Sequence, residues 1–368
     1  MIPIAKPIID DAEKKRVMDV LDSGMISIGQ VVKDFEADFA RFTGSRFAVA
    51  ASSGTTALHL ALLACGIKEG DKVLTTPFSF IATANSALYC GAVPVFCDIE
   101  DETFNMDPAK IRQALKEDPR IKALLIVHLF GHPCDMDAIM EIVREHGLIL
   151  IEDCAQAHGA LYNGRHVGTF GHAGIFSFYP TKNMTTAEGG MVITDSEETY
   201  KELKLLREHG DAGTYDHHVL GYNFRMTNIE AAIGIAQLEK LPAFNKARKD
   251  NAAFYDRELM GLPWLTRPVA KEKCTHCYHQ YSIKVEDRDN FARYLKEKGI
   301  GFKIYYPSTI PDQTLYKKLG YDGSLYPVSH RVSHVIISIP VHPALTPAQR
   351  EEVAQAIREF KPARVAVS

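Results

Sequence analysis

Apolar positions return every three or four residues over 10–21 and again over 32–42, the spacing of one face of a helix. Two helices are therefore predicted at the start, the first capped by Asp10 or Asp11 and stopped at Gly24, the second stopped at Gly44. Beyond Gly44 the period changes. Short, nearly unbroken apolar runs at 47–51, 72–76, 93–99, 123–129 and 148–153 are separated by helical patterns at 55–64, 81–89, 108–115 and 136–145. Strands that are apolar all along belong to a parallel sheet covered on both faces. The alternation predicts an α/β domain whose mostly parallel central sheet is flanked by helices.

The second half has a different texture. Residues 228–241 form an alanine-rich helical pattern that Pro242 is expected to interrupt, since an interior proline removes a backbone donor. A charged amphipathic helix is predicted to resume over 243–259. Gly261-Leu262-Pro263 marks a boundary, followed by a strand at 280–285, a helix at 289–298, a short strand at 302–305 and a terminal helix at 347–360. This brief alternation predicts a small α+β domain, 261–368, after a large one, 1–260, that includes the helical start.

Composition removes some function classes. Net charge of -4 and a pI near 6.4 provide no basic field for nucleic acid or anionic lipid. No apolar stretch reaches the roughly 18 residues needed to span a bilayer, and residues 1–7 lack the layout of a signal peptide. Neither nucleic acid nor membrane is expected as a partner, and the chain is placed in the cytoplasm. Seven cysteines, an odd number in no framework spacing, read as reduced thiols. Cys274-Thr275-His276-Cys277, with His279 close by, resembles half a zinc site, but a structural site needs a second ligand pair. No metal is expected.

Three stretches carry candidate chemistry. The apolar, aromatic run ending Phe176-Ser177-Phe178-Tyr179-Pro180-Thr181 delivers Lys182 into a Thr/Gly-rich turn before the next apolar run, 191–194. Desolvation there favours the free amine, a nucleophile able to form an imine with an aldehyde. A lone lysine would equally suit a solvated hairpin turn, and the other two stretches decide between these. Ser52-Ser53-Gly54-Thr55-Thr56 lies where a strand ends and a helix begins, so free N–H groups and the helix dipole suit a phosphate. Gly54 permits close approach and Thr55 and Thr56 add hydroxyls, although N-capping by Ser53 or Thr55 alone would also account for them. Asp153 ends a buried strand, where open α/β sheets place their ligands, and could pair with a pyridinium N–H or simply cap a helix over Gln156. His158 reads as packed as readily as functional.

Anion turn, strand-end carboxylate and buried lysine are what pyridoxal 5'-phosphate (PLP) requires. The chain resembles the DegT/DnrJ/EryC1/StrS family of sugar aminotransferases, which share fold type I with aspartate aminotransferase. The match runs from Pro3-Ile4-Ala5-Lys6-Pro7 through Ser53-Gly54-Thr55, Gly91-Ala92-Val93-Pro94, Asp153-Cys154-Ala155-Gln156, Ser177-Phe178-Tyr179-Pro180-Thr181-Lys182 and Gly221-Tyr222-Asn223-Phe224-Arg225 to Ile339-Pro340-Val341-His342-Pro343. By that resemblance Lys182 bonds the cofactor, Asp153 pairs with its ring nitrogen and Gln156 touches its ring hydroxyl. Thr55, Thr56 and Ser177 hold the phosphate beside Gly54, and Phe80 stacks on the ring. Asn223 and Arg225 reach across the interface of a homodimer with shared sites. The implied reaction moves an amino group, from glutamate, to the keto carbon of a nucleotide-linked sugar. One stretch departs from the family, which often has His-Tyr-Pro and a further His where this chain has Tyr305-Tyr306-Pro307 and Pro311. Other readings are a dehydratase of the same family, whose members carry histidine in place of the lysine, and a PLP-fold regulatory protein without turnover. A nicotinamide dehydrogenase is disfavoured, because no G-x-G-x-x-G follows the first strand.

Overall fold

The computed structural model describes residues 1–213 and 215–363. Nine strands precede residue 200: β1 (Phe47–Ala51), β2 (Lys72–Thr75), β3 (Val93–Phe96), β4 (Ile121–Val127), β5 (Ile149–Asp153), β6 (Leu161–Tyr162), β7 (Arg165–His166), β8 (Ala173–Ser177) and β9 (Gly190–Thr194). Seven of them form one sheet in the order β1-β9-β8-β5-β4-β2-β3, in which β9 alone runs antiparallel to its neighbours. The ends of β1, β2, β4, β5 and β8 and the start of β9 therefore lie along one edge, the carboxyl edge where such sheets hold ligands.

The unbroken apolar runs are explained by two cores. Leu124 and Ile126 of β4 pack with Phe35, Phe39, Phe176 and Phe178 on one face, while Ala123 and Leu125 pack with Leu58, Leu62, Ile151 and Ile175 on the other. Side chains alternate along a strand, so a sheet covered twice has no polar face to keep.

A second, three-stranded sheet is built from β10 (Leu265–Thr266), β12 (Tyr281–Val285) and β13 (Ile336–Ile339), all antiparallel. Its core joins Tyr281, Ile283 and Ile337 to Phe291, Val353 and Ile357, with Tyr255 and Ile2 packed among them. The remaining strand, β11 (Cys274–Thr275), pairs with β6 and ties this half of the chain back to the first.

Two expectations are corrected. Pro242 does not interrupt its helix, which runs without a break over Asn228–Glu258. An interior proline costs about 3 kcal/mol, but Leu238, Leu241, Ala252 and Tyr255 are buried along this helix while Pro242 faces solvent. Each large apolar side chain so buried contributes about 1.5–3 kcal/mol, which outweighs the lost bond. The strand expected at 302–305 shrinks to one bridge, Lys303 with Ser338. Tyr305 and Tyr306 leave the ladder to line a cavity instead. The pattern reading also passed over the helices Thr314–Lys318 and Pro327–Val335 and the strand β13.

Candidate active site

A cavity of about 410 Å³ opens at the carboxyl edge of the large sheet, and both Lys182 and Asp153 line it. A larger one, about 610 Å³, lies behind β1 around Val32 and Lys204 and contains the already paired Glu36 and Arg207. Because its lysines, Lys33 and Lys204, are exposed and no strand-end carboxylate joins them, the chemistry belongs to the smaller cavity.

The turn between β8 and β9 is fixed from beneath. The Phe178 carbonyl accepts from both the Thr185 hydroxyl (2.8 Å) and the Thr186 amide (3.0 Å), while the Phe178 amide donates to Gly189 (2.9 Å). The Phe178 ring is wedged between Phe35 and Phe39, at centroid separations of 5.3 and 5.5 Å. Lys182 is thus held on a rigid support, yet its Nζ has no hydrogen bond or ion pair among the described residues. Burial lowers its pKa to about 8, against a weaker upward pull from Asp153. An amine in this state can act as nucleophile and as proton carrier near neutral pH.

Asp153 ends β5 without capping a helix. Its Oδ1 accepts from the Ala155 amide at 3.0 Å and its Oδ2 from the Thr83 hydroxyl at 3.0 Å. Burial raises its pKa, opposed by these two bonds and by the charge of Lys182. A carboxylate so oriented has the chemistry to meet a cationic N–H donor.

The Ser53 turn makes the helix cap that its residues also allowed. Ser53 caps the helix Gly54–Ala64 in a reciprocal box with Thr56, whose hydroxyl accepts from the Ser53 amide and donates to its carbonyl, each at 2.9 Å. Thr56 therefore spends its hydroxyl on the cap and does not line the cavity, whereas Ser53, Gly54, Thr55 and Ser177 do. A Cβ on Gly54 would fall 2.6 Å from the Ser177 Cβ, so glycine is what lets that serine stand against the helix N-terminus. The hydroxyls of Thr55 and Ser177 have no partner among the described residues.

Gln156 is oriented by a backbone group: its Oε1 accepts from the Phe130 amide (2.8 Å), and its Nε2 donates to the Tyr306 hydroxyl (3.0 Å). Phe80, 59% exposed, stands at the same cavity. His158 is buried between Phe176 and Phe178, and burial takes its pKa to about 3 against a weaker upward pull from the Ser177 backbone. It is a packed neutral ring beneath the lysine.

Asn223 and Arg225 stand apart. Neither lines the cavity of its own chain, and neither side chain has a hydrogen bond or ion pair among the described residues. Thr83, Tyr179, Glu188, His279, Gln280 and Tyr305 are cavity residues that the motifs did not single out for this site. Of these, Tyr305 carried a signal as the departure from the family pattern, while Tyr179 stood out only as part of the lysine run and His279 only as a neighbour of the cysteine pair. Cys274 and Cys277 do not gather a metal site: Cys277 Sγ faces the Gln156 carbonyl at 3.5 Å and Cys274 Sγ the Pro133 carbonyl at 3.8 Å. Among the described residues, one group could offer three ligands, His128, Glu152 and Cys154. Glu152 is already filled there, by the amides of Gly168, Phe170 and Gly171 at 2.7 Å each and by His128.

A partnerless amine of lowered pKa, an oriented strand-end carboxylate and an anion-binding helix N-terminus in one cavity define a PLP-dependent transaminase. The chain belongs to the DegT/DnrJ/EryC1/StrS aminotransferase family, whose model matches residues 7–358. It is 41% identical to UDP-N-acetyl-3-dehydro-alpha-D-glucosamine 3-aminotransferase of Acidithiobacillus ferrooxidans, over 92% of this chain and 91% of that one. It is 40% identical to a protein of Geobacillus stearothermophilus named pleiotropic regulatory protein, over 96% of this chain and 98% of that one. The protein Spr1654 of Streptococcus pneumoniae, solved in its PLP form, superposes with a TM-score of 0.92 at 29% identity, covering 97–98% of this chain across its PLP and PMP forms and 100% of the PLP-form chain. The cofactor is PLP, and the residues fit it: the close approach at Gly54 leaves room beside the helix N-terminus, and the hydroxyls of Thr55 and Ser177 and the Lys182 amine are unspent among the described residues.

Proposed function

We propose that this sugar aminotransferase takes an amino group from glutamate and places it on the keto carbon of a nucleotide-linked sugar, with Lys182 and Asp153 as its catalytic residues. The observation that carries the reading is the Lys182 amine, without a hydrogen-bond or ion-pair partner among the described residues and lowered to about 8 by desolvation in the cavity that Asp153 and the Ser53 turn share. When bound, PLP supplies an aldehyde carbon for the amine and a ring that withdraws electrons from the carbon being deprotonated.

The chain's own residues do the rest. The amides at the start of the helix Gly54–Ala64, with the Thr55 and Ser177 hydroxyls, hold the phosphate. Asp153, oriented by Thr83 and Ala155, keeps a proton on the ring nitrogen. Gln156, oriented by the Phe130 amide, faces the ring hydroxyl, and Phe80 covers one ring face and excludes water. Lys182 Nζ carries a proton away from the donor's α-carbon and, in the second half of the cycle, delivers one to the former keto carbon of the sugar. Asn223 and Arg225, whose side chains have no partner among the described residues, complete the phosphate site of a neighbouring subunit in a homodimer. None of the described helices is long and apolar enough to cross a membrane.

The regulatory name of the Geobacillus stearothermophilus relative keeps a reading without turnover in play. Purified holoprotein with glutamate and a panel of UDP-, GDP- and dTDP-linked keto-hexoses separates the two. Release of 2-oxoglutarate, with a sugar product heavier by about 1 Da than its keto precursor, is the expected result. Failure with every member of the panel would leave the regulatory reading standing.

A further inference from the structure

We infer that Gln280 is a specificity-determining residue whose side-chain oxygen is turned into the cavity as a hydrogen-bond acceptor for a ring hydroxyl of the sugar; this rests on the functional reading above. The orientation follows from a relay of buried amides that starts at two backbone carbonyls. Asn245 Nδ2 lies 2.8 Å from the His158 carbonyl, so the nitrogen must face that acceptor and Asn245 Oδ1 must point the other way. Asn183 Nδ2 then donates to Asn245 Oδ1 at 2.8 Å and, independently, to the Cys277 carbonyl at 3.1 Å. Asn183 Oδ1 is thereby turned toward His279 Nδ1, 3.3 Å away, and two acceptors cannot face each other, so Nδ1 carries the ring proton.

The second ring nitrogen settles the glutamine. His279 is buried and has Lys182, Arg248, His158 and His276 around it, all disfavouring a charged ring, which stays neutral. Its Nε2 is therefore a lone pair, and Gln280 Nε2, at 3.3 Å, must be the donor. Gln280 Oε1 is left on the opposite side of the amide, without a partner among the described residues; the side chain lines the active cavity and also a much smaller one around Phe104 and His276, and only the first has room for a sugar. An acceptor held there repels the carboxylates of an amino-acid donor and any phosphate, and accepts from hydroxyls, which a hexose supplies. His279 and Asn183 act through Gln280 and are positioning residues. Asn183 also follows Lys182 directly, so the same relay braces the lysine turn.

The test compares variants in keto-sugar turnover and reads the ring itself. Gln280→Ala should raise KM for the nucleotide keto-sugar about tenfold, the worth of one hydrogen bond, and leave KM for glutamate unchanged. Gln280→Glu keeps the size but cannot donate to the Nε2 lone pair. Its KM defect should be larger at neutral pH and shrink as pH falls and a proton replaces the lost donor. A side chain that merely fills space would tolerate glutamate at every pH. In the unaltered protein, ¹⁵N-histidine spectra should show His279 neutral and protonated at Nδ1. Protonation at Nε2, or a keto-sugar KM unmoved in Gln280→Ala, overturns the inference. If the unaltered protein turns over no keto-sugar, the functional reading is what has failed, and the His279 tautomer still decides whether the relay exists.

Discussion

At the floor of the cavity Asp153 is buried with both oxygens engaged, and the turn that bears Lys182 is bonded to its own strand at three points. Segment 215–226 is the opposite case. Its backbone is anchored, with Tyr222 donating to Leu206 at 2.7 Å and the Phe224 carbonyl accepting from Ser52 at 2.9 Å, but the side chains of Asn223 and Arg225 are not. Asn223 and Arg225 have no partner among the described residues, and Tyr215 and Leu220 are 90% and 85% exposed. Where a chain satisfies its own polar groups it sets their protonation state. Where it positions a backbone and leaves a half-buried guanidinium unpaired among the described residues and a leucine bare, something outside the chain is expected to complete them.

Removal of Lys182 should have the largest effect. Lys182→Ala deletes both nucleophile and proton carrier, so transamination is expected to fall by a factor of about 1000 or more, measured as release of 2-oxoglutarate, with the fold unchanged by circular dichroism. Borohydride should fix a pyridoxyl label on the Lys182 peptide of the unaltered protein; a label elsewhere would move the floor chemistry to another residue. The pH dependence has a definite sign. The ammonium of Lys182 is disfavoured in the folded chain, a cost present in full below about 8 and relieved as pH rises from there toward 10.5. In that window the unfolded chain binds more protons, so this group makes apo-protein stability rise with pH. The rate at which apo-protein bonds PLP should climb with a midpoint near 8 instead of 10.5.

Next in size is Asp153→Asn. A neutral amide fits the space and can still meet the Ala155 amide, but cannot hold a proton on a ring nitrogen. Cofactor retention through the phosphate turn should persist, while turnover drops about a hundredfold. Near-normal turnover would take Asp153 out of the mechanism and leave the floor with a structural carboxylate.

The floor was also the more legible of the two regions. The runs that became β1 to β5 are apolar throughout because both faces of the sheet are covered, and such runs are visible without any knowledge of partners. Lys182, Asp153 and Ser53-Gly54-Thr55 could be picked out because each sits at a change of local pattern, and the structure brings all of them to one cavity. Thr83 could not, because its only mark is a bond to Asp153 70 residues away. Gln280 and His279 were likewise hidden, since their orientation is inherited from Asn183 and Asn245 through contacts without any sequence spacing. Thr56 and Pro242 misled for the reverse reason. Each has a strong local meaning, a free hydroxyl and a helix break, that its surroundings overrode.

Subunit mixing tests the loop side of the contrast. If Arg225 serves a neighbour, Lys182→Ala and Arg225→Ala should each be inactive alone and regain activity when their subunits exchange. Random exchange makes half of the dimers mixed, each with one site holding both intact contributions, so about a quarter of normal activity is expected. Mixed dimers without activity would return Arg225 to its own subunit.

The smallest effect on the folded chain should come from Leu220→Ser. At 85% exposure the leucine contributes almost nothing to the core of its own chain, so thermal stability of the isolated fold should change by less than about 0.5 kcal/mol. A leucine this bare, a few residues before a partnerless asparagine and arginine, is costly only if it stays in water, and a neighbouring subunit would cover it. In the variant, activity per milligram should therefore fall on dilution over a range where the unaltered protein keeps it, while the melting curve of concentrated samples barely moves. Unchanged dilution behaviour would mean that this tip faces solvent, and that whatever meets Arg225 does so without crossing Leu220.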